Sequence, residues 1–214
     1  MNIEIRQKGE DTSWDELAQL YHEAFQERLD QGLNFICSSF TPDFLKQHCA
    51  NSIVLVAIDK DNNDALAGAA IIEIKHDKKG TWGYLTDMGI SPNYKRCGIG
   101  SKLEEKRIAI AKANNCTFVM SDTAVPAKSS VNWHLKNGFK IVELMSWPNT
   151  NYYSYNFRKQ LVYDPKWSNS LFCKIHYWLS ALKCKLMFLP DGKYRSPGMM
   201  NIISKVHRLV YKWL

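Results

Sequence analysis

The chain has 214 residues, the length of one full domain with an appendage or of two small domains. Its composition, 45% hydrophobic and 23% charged, excludes a disordered or collagen-like chain. The net charge of +7 is unevenly spread, since residues 1–157 carry 17 basic and 19 acidic side chains and residues 158–214 carry 11 and 2. This distribution excludes a uniformly basic nucleic-acid binder and predicts a near-neutral body with a basic tail.

The six cysteines and six histidines show none of the spacings that are typical of metal sites. No C-x-x-C pair and no H-E-x-x-H motif occurs, so we expect no metal centre. The first residues carry no secretory signal, which predicts free thiols in a reducing cytosol. The longest apolar runs, 53–58 and 66–72, are shorter than the ~18 residues that a membrane-spanning helix needs. We therefore expect a cytoplasmic protein, either soluble or peripheral to the inner face of a membrane.

The predicted elements follow the order β-α-α-β-β-β-α-β-α-β-β, an α/β arrangement with mixed strand pairing. Ser13 and Glu16 are spaced as in a capping box, and Pro42 occupies a favoured first helical position. In chain order, the predicted strands cover 3–5, 52–58, 66–74, 82–90, 116–122, 140–145 and 152–157, and the predicted helices cover 13–29, 41–48, 101–114 and 126–137.

A glycine-bearing turn between a strand and a helix predicts a phosphate site. Gly98 and Gly100 allow the backbone to approach a ligand closely, and the following helix directs its free N–H groups into the turn. Two cations, Lys95 and Arg96, precede the glycines. The turn is neither a Walker loop nor a dinucleotide fingerprint, since no G-K-[ST] follows and the third glycine is missing. The same pattern also occurs in ordinary tight turns, so taken alone it leaves both interpretations open.

Two longer segments resemble the GNAT N-acetyltransferase superfamily. Residues 88–103, with Lys95-Arg96-Cys97-Gly98-Ile99-Gly100, are similar to the family's Q/R-x-x-G-x-G/A motif, and residues 131–139 are similar to its helix that ends before Gly-Phe. The element order is also that of this family. The resemblance implies a mixed, mostly antiparallel central sheet flanked by helices, with an acyltransferase domain over 1–160 and a helical extension over 161–214.

The resemblance also implies a reaction and a cosubstrate, namely transfer of an acetyl group from acetyl-CoA to an amine. The acceptor would be a small molecule or a peptide. Two residues depart from the family pattern, because Lys95 occupies the Gln/Arg position and His134 occupies a position where many members have a tyrosine acid. The implied acetyl-CoA contacts are the end of strand 82–90 and the turn, namely Met88, Gly89, Ile90, Lys95, Arg96, Cys97, Gly98, Ile99, Gly100 and Ser101.

Three side chains are candidates for proton transfer. Asp87, one residue before the acetyl-binding segment, is the first candidate for the base, and the alternative is that it faces outward or caps a turn. Asp122, at the end of the next strand, is the second. His134 titrates near neutral pH and could act as acid or base, or it could simply pack beside its neighbours.

The basic tail contains two amphipathic stretches, 171–186 and 199–213, separated by Leu189-Pro190-Asp191-Gly192. Residues 165–214 could contact an anionic membrane surface, pack on the body or form a homodimer interface, and they contain no recognisable nucleic-acid module. The alternative function is therefore a catalytically weak CoA-binding module that is held at a membrane or partner by this tail.

Overall fold

The computed structural model describes residues 1–195. Its strands are β1 Ile3–Gln7, β2 Ile53–Asp59, β3 Ala65–Asp77, β4 Gly80–Ile90, β5 Phe118–Ala124, β6 Lys140–Ser146 and β7 Tyr153–Gln160. Its helices are α1 Trp14–Asp30, α2 Pro42–His48, α3 Ile99–Ala113, α4 Lys128–Lys136, α5 Pro165–Ser168 and α6 Ser170–Met187.

The first two helices begin at the residues that the sequence indicates. Ser13 Oγ accepts a hydrogen bond from the Glu16 N–H at 3.1 Å, and the Glu16 carboxylate accepts one from the Ser13 N–H at 2.7 Å. This is the predicted capping box. Thr41 caps α2 through the Phe44 N–H, and Pro42 lies in the first turn. The first residues of both helices are therefore determined by capping interactions within a few residues.

One compact unit consists of residues 1–121 together with 160–162. Strands β1 to β4 pair antiparallel in chain order, and β4 pairs parallel with β5 from Trp82↔Phe118 to Leu85↔Ser121. Side chains of β2 alternate between two cores, with Val54, Val56 and Ile58 facing α1 and α2 and the intervening residues facing α3. Because both faces are covered, β2 is apolar at nearly every position.

The second compact unit consists of residues 122–159 and, in the described part of the chain, 163–195. Strands β6 and β7 pair antiparallel, and α6 packs on β6. His176 Nδ1 lies 2.6 Å from the Val142 carbonyl oxygen, and Ser180 Oγ donates to the Leu144 carbonyl at 3.3 Å while accepting from its N–H at 3.2 Å. The first helix of the predicted extension therefore packs on a strand of the predicted body.

The face that α6 buries is not its most apolar one. The buried residues are Cys173, His176, Ser180, Cys184 and Met187, whereas an apolar stripe formed by Leu171, Ile175, Trp178, Leu182 and Leu186 is exposed. Trp178 is 63% exposed and Leu171 is 65% exposed. The apolar periodicity correctly predicted a helix, but it did not indicate which face packs on β6.

The fold class is confirmed as mixed α/β, with mostly antiparallel strands flanked by helices and a C-terminal helix. Helix α3 begins at Ile99, two residues before its predicted start, and the four-residue α5 was not predicted. The predicted boundary between 160 and 161 stays a prediction, and the stretch 199–213 lies outside the described residues. Within residues 1–195, no helix has the length and apolarity needed to cross a membrane.

Candidate active site

Strand β4 contains a β-bulge at Asp87. The register with β3 pairs Ile71 with Thr86 and Ala70 with Met88, so Asp87 is the extra residue. Its φ of +42° lies in the left-handed region, which is uncommon for a residue with a side chain. Bulges often occur beside active sites because they re-aim a side chain. The first predicted base therefore lies at a conformationally unusual position.

Two buried side chains from the flanking helices hold the bulge. The Tyr21 hydroxyl donates to the Asp87 carbonyl at 2.7 Å, and burial raises the pKa of Tyr21 well above 10, which keeps it a donor. Arg107 Nη1 donates to the carbonyls of Thr86 at 3.0 Å and Ile71 at 3.1 Å. Arg107 is also paired with the buried carboxylate of Glu104. Together α1 and α3 fix the backbone on which Asp87 is carried.

Gly89 allows α1 to approach this part of β4. A Cβ at Gly89 would lie 3.0 Å from the Tyr21 ring, closer than about nine in ten real Cβ contacts. The absence of a side chain therefore lets the Tyr21 ring lie against the strand while its hydroxyl reaches the Asp87 carbonyl.

The Asp87 carboxylate is the centre of a small polar cluster. It accepts hydrogen bonds from Cys37 Sγ at 3.0 Å, Thr86 Oγ1 at 2.9 Å and His48 Nε2 at 2.8 Å. Burial works to raise its pKa, but these hydrogen bonds, with the charge of His48, hold the pKa below its usual value. The Asp87 side chain is 12% exposed. It thus lies inward, which excludes the alternative that it faces outward.

His48 forms the accessible part of the cluster, since its side chain is 37% exposed. The hydrogen bond to Asp87 is the main reason that its pKa is raised above 6.5. Its ring is stacked on Phe44, with 5.6 Å between ring centroids and 13° between planes, and it also contacts Phe40. The arrangement is an imidazole that is oriented by a carboxylate and by aromatic packing.

The glycine-bearing turn follows β4 and a short 3-10 helix, Pro92–Tyr94. Gly98 is the N-cap of α3 with a φ of +77°, a conformation that glycine adopts without strain. The N–H groups of residues 96–101 donate to no acceptor in the described part of the chain. Ile99 and Leu103 are buried against β2 and β3 and anchor the helix. Free amides at a helix N-terminus, with no acidic residue in the first turn, fit a pyrophosphate group.

The two cations of the turn, Lys95 and Arg96, have different surroundings. Lys95 Nζ forms an exposed ion pair with the Glu27 carboxylate at 2.7 Å, which lowers the pKa of Glu27. An exposed pair of this kind contributes little to stability, so Lys95 can readily exchange Glu27 for a phosphate. Arg96 has a φ of +64°, and Cys97 is exposed. Gly100 lies beside Met88, since a Cβ there would be 3.5 Å from the Met88 sulfur.

The other two predicted catalytic side chains lie in the second unit. His134 is buried on α4, where Nδ1 is 2.8 Å from the Ser130 carbonyl oxygen and the ring is stacked on Phe157 at 4.5 Å. Asp122 accepts a hydrogen bond from the Trp147 indole at 3.1 Å. Both side chains have structural contacts within their own unit, and their catalytic roles stay predictions.

Sequence reasoning missed several residues of the site. Tyr21, Cys37 and His48 are 66, 50 and 39 residues away from Asp87, so no local motif connects them to it. Arg107 and Glu104 look like an ordinary helix-surface pair in the sequence. None of the six cysteines, which all lie within residues 1–195, forms a disulfide, and in the same part of the chain no cluster of His, Cys, Asp or Glu could hold a metal ion.

The bulged strand, the glycine-capped helix and the strand order together define an acyltransferase-like α/β protein. The model of the acetyltransferase (GNAT) family matches residues 14–139, more than half of the chain. The chain therefore belongs to the GNAT acetyltransferase family. A comparison with curated proteins finds no match.

Solved structures of other proteins are similar in fold. The NatC complex bound to Gag peptide and CoA contains a chain that is 17% identical, with a TM-score of 0.58, covering 76% of this chain and 100% of that one. A GNAT acetyltransferase from Staphylococcus aureus Mu50 is 17% identical, with a TM-score of 0.58 and coverages of 75% and 99%. A GNAT acetyltransferase from Elizabethkingia anophelis with acetyl-CoA bound is 15% identical, with a TM-score of 0.55 and the same coverages.

Proposed function

We propose that the protein transfers an acetyl group from acetyl-CoA to the amine of a small molecule or peptide, by direct attack in a ternary complex. The observation that carries this proposal is the free row of amides from Arg96 to Ser101, on a glycine-capped helix that directly follows the bulged strand β4. Two similar structures support it, one with acetyl-CoA bound and one with CoA and a peptide bound.

The turn would hold the pyrophosphate, and the end of β4 would hold the acyl arm. The amides of residues 96–101 supply donors, while Lys95 and Arg96 supply positive charge. Near Met88, Gly89 and Ile90, backbone N–H groups could stabilise the charge that develops on the acetyl oxygen when the amine attacks, an effect typically worth a few kcal/mol. The chain thus offers groups for binding and for polarising the thioester.

The acceptor amine needs a proton acceptor, because a lysine-type amine has a reference pKa of about 10.4 and is protonated at neutral pH. Asp87 is the predicted base that lies at the end of β4, and its lowered pKa makes its own carboxylate a weak proton acceptor. A neighbouring side chain with a higher pKa than Asp87 would accept the proton of the amine more readily. Asp122 and His134 remain proposed participants from the second unit.

The experiment that tests the cosubstrate site is the substitution Gly98→Asp. We expect it to abolish acetyl-CoA binding in a calorimetric titration, since a carboxylate would repel the pyrophosphate and occupy the turn. The matched control is Gly80→Asp in the turn between β3 and β4. Gly80 also has a positive φ, +94°, and like Gly98 has no heavy atom within 4 Å of an added Cβ. Unaltered affinity in Gly98→Asp would contradict the proposed site.

We also propose that α6 holds the protein at the cytoplasmic face of an anionic membrane. The support is the exposed apolar stripe on α6, with Lys174 and Lys185 at its edge and no acidic residue in the helix. This observation fits the second candidate function, a CoA-binding module that is anchored by residues 165–214. Thiol release from acetyl-CoA on addition of amines would distinguish the two, since a binding module would release none.

A further inference from the structure

We propose that His48 is the catalytic base that accepts the proton of the acceptor amine, and that Asp87 is a positioning residue that orients its ring. This inference rests on the proposed acetyl transfer and assigns the proton-transfer step to a side chain on α2.

The geometry determines which ring nitrogen is available. The ionised Asp87 carboxylate can only accept a hydrogen bond, so Nε2 of His48 carries the proton in their 2.8 Å contact. In neutral His48 the lone pair is then on Nδ1, for which the described residues provide no hydrogen-bond partner. The ring is also held by its stacking on Phe44. A fixed tautomer with one uncommitted nitrogen is what a base requires.

His48 is also more accessible than the carboxylate that orients it. Its side chain is 37% exposed, against 12% for Asp87, whose oxygens are already occupied by three donors. An amine that approaches the end of β4 can therefore reach the imidazole more easily than the carboxylate. The bulge explains the arrangement, since the left-handed conformation of Asp87 places its side chain within reach of both the 3-10 helix 36–39 and α2.

The charged and titratable groups around the pair are compatible with a base near neutral pH. Asp87 on β4 and, more weakly, Glu73 on β3 both raise the pKa of His48. Burial raises the pKa of Cys49 to about 12, and that of Tyr21 well above 10, so both stay neutral. Cys37 donates to Asp87. The positive charge of Arg107 on α3 lowers the pKa of Tyr21 by less than burial raises it, and Arg107 is paired with Glu104.

The step balances without any further reactant. The amine nitrogen forms a bond to the acetyl carbon, the bond from that carbon to sulfur breaks, and the CoA thiolate leaves with the electron pair. The acceptor enters as an ammonium and loses two protons, one to Nδ1 of His48 and the other to the departing CoA thiolate. The resulting imidazolium is stabilised by the Asp87 carboxylate, which itself remains ionised.

The kinetic test compares His48→Gln, Asp87→Asn and wild type in kcat/KM between pH 5.5 and 9. Thiol release from acetyl-CoA is followed with glucosamine, spermidine and a peptide with a free N-terminus. We expect the wild-type rate to rise with pH through a midpoint above 6.5. His48→Gln should lose that midpoint and about 100-fold or more in kcat, the usual size of a general-base effect. Asp87→Asn should keep the midpoint but move it to lower pH, because the carboxylate no longer stabilises the imidazolium.

Two controls separate a catalytic role from a structural one. His76→Gln changes an exposed histidine on β3 in the same way and should leave the profile unchanged. The affinity for acetyl-CoA, measured by calorimetry, should be the same in all variants. A His48→Gln enzyme that keeps the wild-type kcat and pH midpoint would overturn the assignment.

A second measurement does not depend on turnover. Titration of the imidazole resonances by NMR should show a His48 pKa above 6.5 with the proton of the neutral ring on Nε2, and a lower pKa in Asp87→Asn. A His48 pKa that is the same in both proteins would overturn the pairing. Failure of the proposed acetyl transfer would look different, because wild type would then release no thiol with any amine. The NMR titration would still show whether His48 and Asp87 interact.

Discussion

At the scale of single residues, the site depends on a few groups that are far apart in the chain. Asp87 is a strand residue in a left-handed conformation, and its side chain joins the 3-10 helix 36–39 to α2. Gly89 matters because a Cβ there would press against the Tyr21 ring, and Gly98 because its φ is positive. Apart from Gly98, which lies in the glycine-bearing turn, these residues are connected by contacts between distant parts of the chain and not by a sequence motif.

The ion pair of His48 and Asp87 predicts a pH dependence of stability. His48 has a raised pKa in the folded state, so its contribution is complete below pH 6.5 and is lost as the pH rises through the folded value. Asp87 has a lowered pKa, so its contribution is present above its ordinary value of 3.8 and is lost as the pH falls through the folded value. Both contributions are therefore present together between about pH 4 and 6.5.

The measurement is urea unfolding of wild type and Asp87→Asn at several pH values. We expect the difference in their free energies of unfolding to be largest near pH 5 to 6 and to decrease toward pH 8 and toward pH 3. A difference that is constant across this range would show that the two groups do not form an ion pair in solution.

At the scale of elements, helix α3 contributes both to the glycine-bearing turn and to the bulge in β4. Its first turn supplies the free amides of the turn, and two turns later its buried Arg107 binds the carbonyls of Thr86 and Ile71 at the bulge. The proposed acetyl-CoA turn and the bulge are thus connected through one helix. Because Glu104 and Arg107 are both buried, removing only one of them leaves the charge of the other buried without its partner, which destabilises the fold.

We expect Arg107→Leu to destabilise the protein by about 3–5 kcal/mol, since it leaves the Glu104 carboxylate buried without its partner. The double variant Glu104→Leu, Arg107→Leu should recover part of this loss. Urea unfolding measures both. The control is Lys60→Ala, which removes the exposed pairs with Asp64 and Glu4 and should change stability far less than Arg107→Leu does. An Arg107→Leu effect as small as that of the control would contradict the role of Arg107 at the bulge.

At the scale of the whole molecule, the charge is separated along the chain. Residues 1–157, which contain the predicted site residues, carry slightly more acidic than basic side chains, and the excess of basic residues lies in 158–214. On α6 this basic character accompanies an exposed apolar stripe. This separation supports the proposal that the basic residues hold the protein at a surface and take no part in the proposed acetyl transfer.

We expect the protein to co-sediment with vesicles that contain phosphatidylserine and to be released by salt, because lysines attract the anionic surface while the stripe inserts. Trp178→Ser should weaken this binding several-fold. Vesicles of phosphatidylcholine alone are the control. Equal binding to both kinds of vesicle, or no loss in Trp178→Ser, would contradict membrane contact through α6 and favour a protein partner or a second copy.

Much of the fold could be predicted from local patterns. The capping box at Ser13, the proline at the start of α2 and the glycines of the turn each act within a few residues, and so they can be recognised in the sequence. The elements in the described part of the chain follow the predicted order, with α5 added. The two motifs that resemble the GNAT family are also local, and the family match confirms them.

The site was predictable only in part, for a physical reason. Local sequence patterns were enough to predict the element order, the turn that precedes α3 and the position of Asp87 near the end of its strand. The tertiary structure decided that Asp87 meets His48 and Cys37, that Arg107 supports the bulge and that α6 packs through its less apolar face. These outcomes depend on strand register and on contacts between residues 21 to 50 positions apart, which side-chain periodicity does not encode.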